Sequence, residues 1–305
     1  MKFSGPPGKG SNLLRSPVEA ALLMIFTCAC FSGMSAVIRD LSSELSPFQI
    51  AFFRNAIGLV FLLPVMWRLG FKIPRGPVLK SYGVRAAIGV CAMWTWYSAL
   101  SITPLAEAIT LNFTVALWMI PVAILLLGER VGLRRWGATL VGFGGVLIVM
   151  QPGSEMVSLG SLLAIFAALL FAISMALVRI LARTERPIAI VFYMNVIMTP
   201  FSLGPAIYFW ETPELPQWGW LFFIGLIATV AHFGMARALS IVEASSVVPL
   251  DFTRLPFAAA IGYFAFGEVP SVWIWPGAAL IMASAIYIAR REARLQSIIP
   301  RVPAA

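Results

Sequence analysis

Ten apolar segments divide this chain, at about residues 18–38, 46–67, 82–101, 104–127, 133–150, 159–179, 187–209, 218–238, 244–266 and 272–289. Each is close to the length of a bilayer-spanning helix and is apolar throughout, whereas the strands of a barrel would alternate apolar and polar positions. Only a helix or a closed barrel satisfies its backbone polar groups in hydrocarbon, so the pattern predicts ten transmembrane helices. The spans consume nearly all of the chain and leave no sizeable soluble domain.

The segments repeat. Ala99-Leu100-Ser101-Ile102 returns as Ala238-Leu239-Ser240-Ile241. Leu111-Asn112-Phe113-Thr114 returns as Leu250-Asp251-Phe252-Thr253, and Gly128-Glu129 as Gly267-Glu268. The offset is constant at 139 positions (238 − 99 and 267 − 128). Nearer the N-terminus it is 140, from Phe26 to Phe166, Arg39 to Arg179, Pro47 to Pro187 and Asn55 to Asn195. The chain therefore reads as two five-helix units, residues 18–150 and 151–290, between an N-terminal tail (1–17) and a C-terminal tail (291–305). An odd number of spans per unit makes the second enter the membrane in the opposite sense, the inverted-repeat arrangement of many transporters.

Charge fixes the orientation. With the N-terminus in the cytoplasm, nineteen of the twenty-two Lys and Arg residues fall on the inner side, Arg85 and Arg237 among them. Only Arg39 falls in an outer loop, and Arg54 and Arg254 lie within spans. This is the positive-inside distribution and places both termini in the cytoplasm. Trp136 and Trp275, equivalent by repeat, then sit at opposite interfaces as anchors.

Composition agrees: 60% of residues are hydrophobic and 11% charged, with a mean hydropathy of +0.90, against roughly 25% charged in soluble proteins. The net charge of +9 lies at span ends rather than on a basic face interleaved with aromatics, which speaks against nucleic-acid binding. Cys28, Cys30 and Cys91 lie in apolar runs, odd in number and without metal-ligand spacing, and read as small apolar side chains. Val18 to Ile38 is long for a signal peptide, lacks a small-residue cleavage pattern and matches a later segment, so it reads as a retained span.

These motifs carry a resemblance. The first unit holds Phe53-Arg54-Asn55, Pro64, Tyr97-Ser98-Ala99-Leu100, Thr103-Pro104-Leu105-Ala106-Glu107-Ala108, Pro121 and Leu127-Gly128-Glu129-Arg130. The second holds Pro249-Leu250-Asp251-Phe252-Thr253-Arg254, Gly262, Phe266-Gly267-Glu268 and Gly277-Ala278-Ala279-Leu280-Ile281. In order, spacing and duplication the chain resembles the EamA family of the drug/metabolite transporter superfamily, over about residues 18–290. The resemblance implies a basket of ten helices around a central cavity, with export of small metabolites by alternating access. One branch of the family moves amino acids. The chain departs from symmetry at Asn112/Asp251 and Val115/Arg254, where only the second half is charged.

Ionisable groups inside spans are functional candidates by default. Asp251 and Arg254 stand three apart on one helix face. They could lock to each other, meet the amine and carboxylate of a zwitterion, or exchange partners during gating. His232, the single histidine, lies within the eighth span, where a structural hydrogen bond, substrate contact and proton carriage are all open to it. Trp94 and Tyr97 share a face of the third span and could form an aromatic wall with polar tips, or pack as core. Asn112 and Ser174 are neutral polar candidates. Arg54 is expected to snorkel outward to Glu44 or Asp40, Glu107 to complement a helix N-terminus, and Glu129 and Glu268 to tether loops or the next helix. Pro104, Pro121, Pro249 and Pro256 are expected to kink or hinge the fourth and ninth spans.

Gly137, Gly142, Gly144 and Gly145 in span five, and Gly277, Ala279, Ala283 and Ser284 in span ten, predict close helix packing, with a homodimer through these faces as the lesser reading. No nucleotide-binding loop, paired aspartates or His-Glu-x-x-His motif is present. No cofactor, metal or catalytic residue is expected. The resulting expectation is a secondary exporter of the bacterial inner membrane for small amphipathic metabolites, amino acids (aromatic ones included) being the first guess. A lipid-carrier flippase and an intramembrane lipid-processing enzyme are the rival classes.

Overall fold

A computed structural model describes residues 15–69, 76–128, 132–151, 158–181, 185, 187–241 and 248–298. Glu129, residues 1–14 of the expected N-terminal tail and residues 299–305 of the expected C-terminal tail lie outside the described residues. The helices are α1 (Arg15–Leu41), α2 (Pro47–Leu69), α3 (Pro77–Ile102), α4 (Leu105–Asn112), α5 (Val115–Leu127), α6 (Leu133–Met150), α7 (Leu159–Leu181), α8 (Pro187–Tyr208) and α9 (Leu215–Ile241). A 3-10 helix (Val248–Thr253), α10 (Arg254–Phe266) and α11 (Ile274–Ile298) complete the chain, and no strand occurs among the described residues.

Local chemistry sets the ends. Pro47, Pro77 and Pro187 open α2, α3 and α8, where a missing N–H costs nothing and φ is already helical. Gly128 and Gly267 close α5 and α10 at φ of 65° and 64°, a left-handed cap that residues with a Cβ resist. The last helix continues to Ile298, past the residue at which a tail is expected, because Arg290 to Ile298 contains neither Gly nor Pro to stop it.

Among the described residues, six helical stretches are long and apolar enough to cross a membrane: those within α1, α2, α7, α8 and α9, and α4 with α5 taken together. Trp136–Met150 and Ile274–Ile288 are shorter apolar helices. The outer surface is apolar as well. Leu125, Leu133, Leu215 and Phe264 are each more than 80% exposed, and hydrocarbon is the solvent that suits them.

The repeat is visible in the packing. α3 lies on α7, and the equivalent pair α1 and α9 lies together likewise. α5 meets α7 as α10 meets α1, while α2–α8 and α6–α11 pair each helix with its own counterpart. That is the contact pattern of a two-fold relation between the halves. The fourth segment of each half is broken at the same place: α5 and α10 begin and end 139 positions apart (254 − 115 and 266 − 127).

α6 and α11 are joined by small residues. A Cβ placed on Gly145 would stand 2.7 Å from the Gly277 carbonyl, and one on Gly277 would stand 2.4 Å from a Val149 methyl. Gly142 similarly faces Leu117 and Ser284. The glycine faces expected to pack therefore meet each other within one chain. A Gly145→Ala substitution must push backbone apart rather than turn a side chain. It is expected to lower stability by about 1–3 kcal/mol, read as a fall in the thermal unfolding midpoint in detergent. An unchanged midpoint would mean the seam carries no weight.

Candidate functional site

The two breaks meet at the centre. In the first half the helix tightens at Phe113 and Thr114, which stand at φ, ψ of −60°, −16° and −62°, −11°. The amides of Thr114, Ala116 and Leu117 bond to carbonyls three residues back rather than four (3.1, 3.2 and 2.9 Å). In the second half the whole stretch Val248–Thr253 is 3-10 helix. One side chain recurs at each break: Thr114 Oγ1 donates to the Leu111 carbonyl at 2.7 Å, and Thr253 Oγ1 to the Leu250 carbonyl at 2.7 Å. A hydroxyl that captures a carbonyl three back competes with the helical ladder at that turn. The rings of Phe113 and Phe252, equivalent by repeat, touch edge to face with centroids 4.8 Å apart. Both are buried.

Three of the four prolines stand outside the breaks. Pro104 stands at the N-cap of α4, Pro121 lies inside unbroken α5 and Pro256 in the first turn of α10. Pro249 alone lies within a broken stretch, the 3-10 segment.

Asn112 and Asp251 bring polar groups to this centre. Asn112 Nδ2 is buried without a partner. Asp251 Oδ2 lies 3.6 Å from Arg254 Nη1, so the pair forms, and Arg254 also lies over the Phe31 ring at 4.9 Å. α1 supports the second break. Ser32 Oγ donates to the Arg254 carbonyl at 3.0 Å, and Cys28 Sγ lies 3.5 Å from the Leu250 carbonyl and 3.7 Å from Asp251 Oδ1. Cys28 is thus a weak donor at the site as well as a small apolar side chain. Cys91, expected in a packed position, is exposed.

On α9, His232 meets Phe31 edge to face, ring centroids 5.2 Å apart. Its Nδ1 stands 2.6 Å from the Ala228 carbonyl. A carbonyl only accepts, so Nδ1 carries the proton and Nε2 keeps its lone pair in the neutral ring.

Arg54 does not snorkel outward. Its Nη1 donates to Asn55 Oδ1 at 3.0 Å, while Glu44 accepts from Gln217 instead. Arg54 acts electrostatically on Tyr97 and His232, residues of two helices, α3 and α9, on which α2 packs. Tyr97 is buried in the core. Trp94 meets Phe48 edge to face at 5.4 Å, with Nε1 buried and unpartnered, and Phe48 stacks on Phe209. Ser174 is buried in α7, the helix packed on α3 and α5.

Sequence reasoning missed Arg85. It counts as a cytoplasmic charge by position, but it stands eight residues into α3, about 12 Å along the axis. Arg54 and Arg85 act on one another, and both act on His232 together with Arg254. The missed signal is the depth of Arg85 beyond Pro77, a strong helix start.

A second cluster ties the halves together. Arg39 at the end of α1 pairs with Glu268 and donates to the Thr103 carbonyl at 2.8 Å. Glu268 Oε2 accepts from the Leu105 amide at 2.9 Å, and Arg39 lies over Phe266 at 5.0 Å. Glu268 therefore holds the first turn of α4 in the other half, not the helix that follows it. Glu107 in that same turn accepts from Ser161 Oγ of α7 at 2.6 Å.

Helices that are apolar on all sides, broken twice at a shared polar centre, define an integral membrane protein of the transporter type. The family profile of the EamA-like transporter family matches residues 19–151 and 158–290, and the chain belongs to that family. It is 31% identical over 280 residues to a riboflavin transporter of Rhizobium johnstonii, covering 91% of this chain and 93% of that protein. It is 28% identical to an S-adenosylmethionine uptake transporter of Rickettsia bellii (87% and 91% covered) and 28% identical to the pseudopaline exporter CntI of Pseudomonas aeruginosa (92% and 98%). A crystal structure with 18% identity shares the fold at a TM-score of 0.62, over 92% of this chain and 99% of that one.

Proposed function

We propose that this chain is a secondary transporter of the bacterial inner membrane, with ten spans and both termini in the cytoplasm, that moves small amphipathic metabolites by alternating access of two inverted repeats. The observation that carries the reading is the meeting of both helix breaks at Phe113 and Phe252, with Asn112, Asp251, Arg254 and His232 around them. A break in each repeat frees backbone at the repeat interface, where transporter cargo binds. When one half rocks against the other, the groups at the interface are those whose surroundings change.

Asp251, Arg254 and His232 form the polar floor, Trp94 and Tyr97 the aromatic wall, and Asn112 and Ser174 further polar contacts. Relatives named for riboflavin, S-adenosylmethionine and pseudopaline support a small organic cargo. Amino acids, aromatic ones included, belong to that class, and export is the proposed direction. Lipid bathes the outer faces. A homodimer through α6 and α11 would use Leu140, Val141 and Leu147, which are exposed, since the glycine faces are already joined.

The test is uptake of labelled metabolites into proteoliposomes holding the full chain, with and without a pH gradient, amino acids and flavins in the panel. Saturable uptake that unlabelled cargo competes is expected. If no small metabolite moves or competes, the reading falls.

A further inference from the structure

Arg54 of α2 and Arg85 of α3 stand on helices that pack against each other and against α8, and Arg254 of α10 stands on the helix packed on α1. All three act electrostatically on His232 of α9, and Arg54 and Arg85 act on each other. Their counter-charges are unequal. Arg254 has Asp251 at 3.6 Å. Arg54 has only the neutral Asn55, and Arg85 Nε is buried with no partner. Neither makes an ion pair among the described residues. Glu185 acts on Tyr82, whereas the charged group that acts on Arg85 is Arg54.

Arg85 has the apolar Met198 side chain beside it. Its Nη1 lies 3.3 Å from the place where a Cβ on Gly89 would be, next to the Met198 methyl and sulfur at 3.5 and 3.6 Å from that point. A cation left among such groups without an anion is unfavourable, and two that repel each other more so. In membrane proteins, ionisable residues in this position mark the path of the cargo.

We infer that the cargo is an organic anion whose carboxylate or phosphate enters between Arg54 and Arg85. The inference rests on the transport reading and narrows it. A guanidinium presents paired N–H donors in a plane that matches both oxyanions. The Asp251–Arg254 pair is already satisfied and leaves the vacancy to the other two arginines. A zwitterion fits only with its ammonium kept toward Asp251, and a cation is repelled.

The experiment uses the full chain in proteoliposomes and probes matched in skeleton: glutamate against glutamine, indoleacetate against indoleacetamide, and riboflavin phosphate against riboflavin. The anionic member of at least one pair is expected to move about tenfold faster than its neutral twin, the difference a hydrogen-bonded charge makes. Glutamate and indoleacetate report a carboxylate site, riboflavin phosphate a phosphate site. Arg54→Gln and Arg85→Gln are each expected to remove that preference, and Arg54→Lys and Arg85→Lys to keep part of it. Neutral members moving as fast as their anionic twins in the wild-type protein overturn the inference and leave transport standing. Movement of none of the six overturns both.

Discussion

Glu268→Ala is expected to loosen the junction of the two halves and to lower stability by about 3 kcal/mol, the low end for breaking a buried ion pair. The carboxylate serves two partners, Arg39 and the Leu105 amide. Its loss leaves a guanidinium with only the Thr103 carbonyl and the face of Phe266, and a helix N-terminus without its acceptor. The side chains of Arg39 and Glu268 are 20% and 16% exposed, which keeps the expected effect at the low end. Thermal unfolding in detergent reads it. Glu268→Gln separates the two roles, because its amide oxygen still accepts from Leu105 while the charge is gone. The Arg39→Ala, Glu268→Ala double variant is expected to fall short of the summed losses. A change in Glu268→Ala of about 0.5 kcal/mol or less would class the pair with exposed surface bridges.

Asp251→Asn and Arg254→Ala are expected to cut initial transport rates by about tenfold or more, on the scale of one hydrogen bond to a charged group, with little loss of folded protein. The i, i+3 pair lies at 3.6 Å and is part exposed, 18% for Arg254 and 32% for Asp251, so its contribution to stability is within about 1 kcal/mol. Folding is further protected because Ser32 holds the backbone carbonyl of Arg254 and not its side chain. Size-exclusion yield and uptake, measured on the same preparations, distinguish the outcomes. Wild-type rates in both variants would reduce the pair to a brace within the helix.

The duplication was legible because residues that set backbone geometry repeat as well as those that pack. Gly128 and Gly267 cap their helices at nearly the same φ, and the Leu-Asn/Asp-Phe-Thr motif marks both breaks. The breaks themselves were hidden. Apolar residues continue on both sides of them, and three of the four prolines stand on the flanks. A threonine hydroxyl stands at each break and bonds to the carbonyl three back, a back-bond that bends helices and that sequence alone does not reveal. Arg54 and Arg85 were hidden for a different reason. An arginine a few turns from the end of an apolar run has the same spacing whether it snorkels to the interface or turns inward. Only the packing of α2 on α3, α8 and α9 shows which. Glu268 illustrates the limit of local reading: its partners lie at Arg39 and Leu105, far away in sequence, while its neighbours suggest a loop.

The glycine seam between α6 and α11 has a consequence for biosynthesis. Gly145 and Gly277 are 132 positions apart (277 − 145), and ribosomes add about 5–20 residues per second. After α6 has been made, its partner follows only about 7–26 seconds later. Through that interval the groove on α6 faces lipid or the insertion machinery. A ribosome that stalls before Ile274 releases a chain with this groove open, a feature by which membrane quality control could tell an unfinished molecule from a finished one.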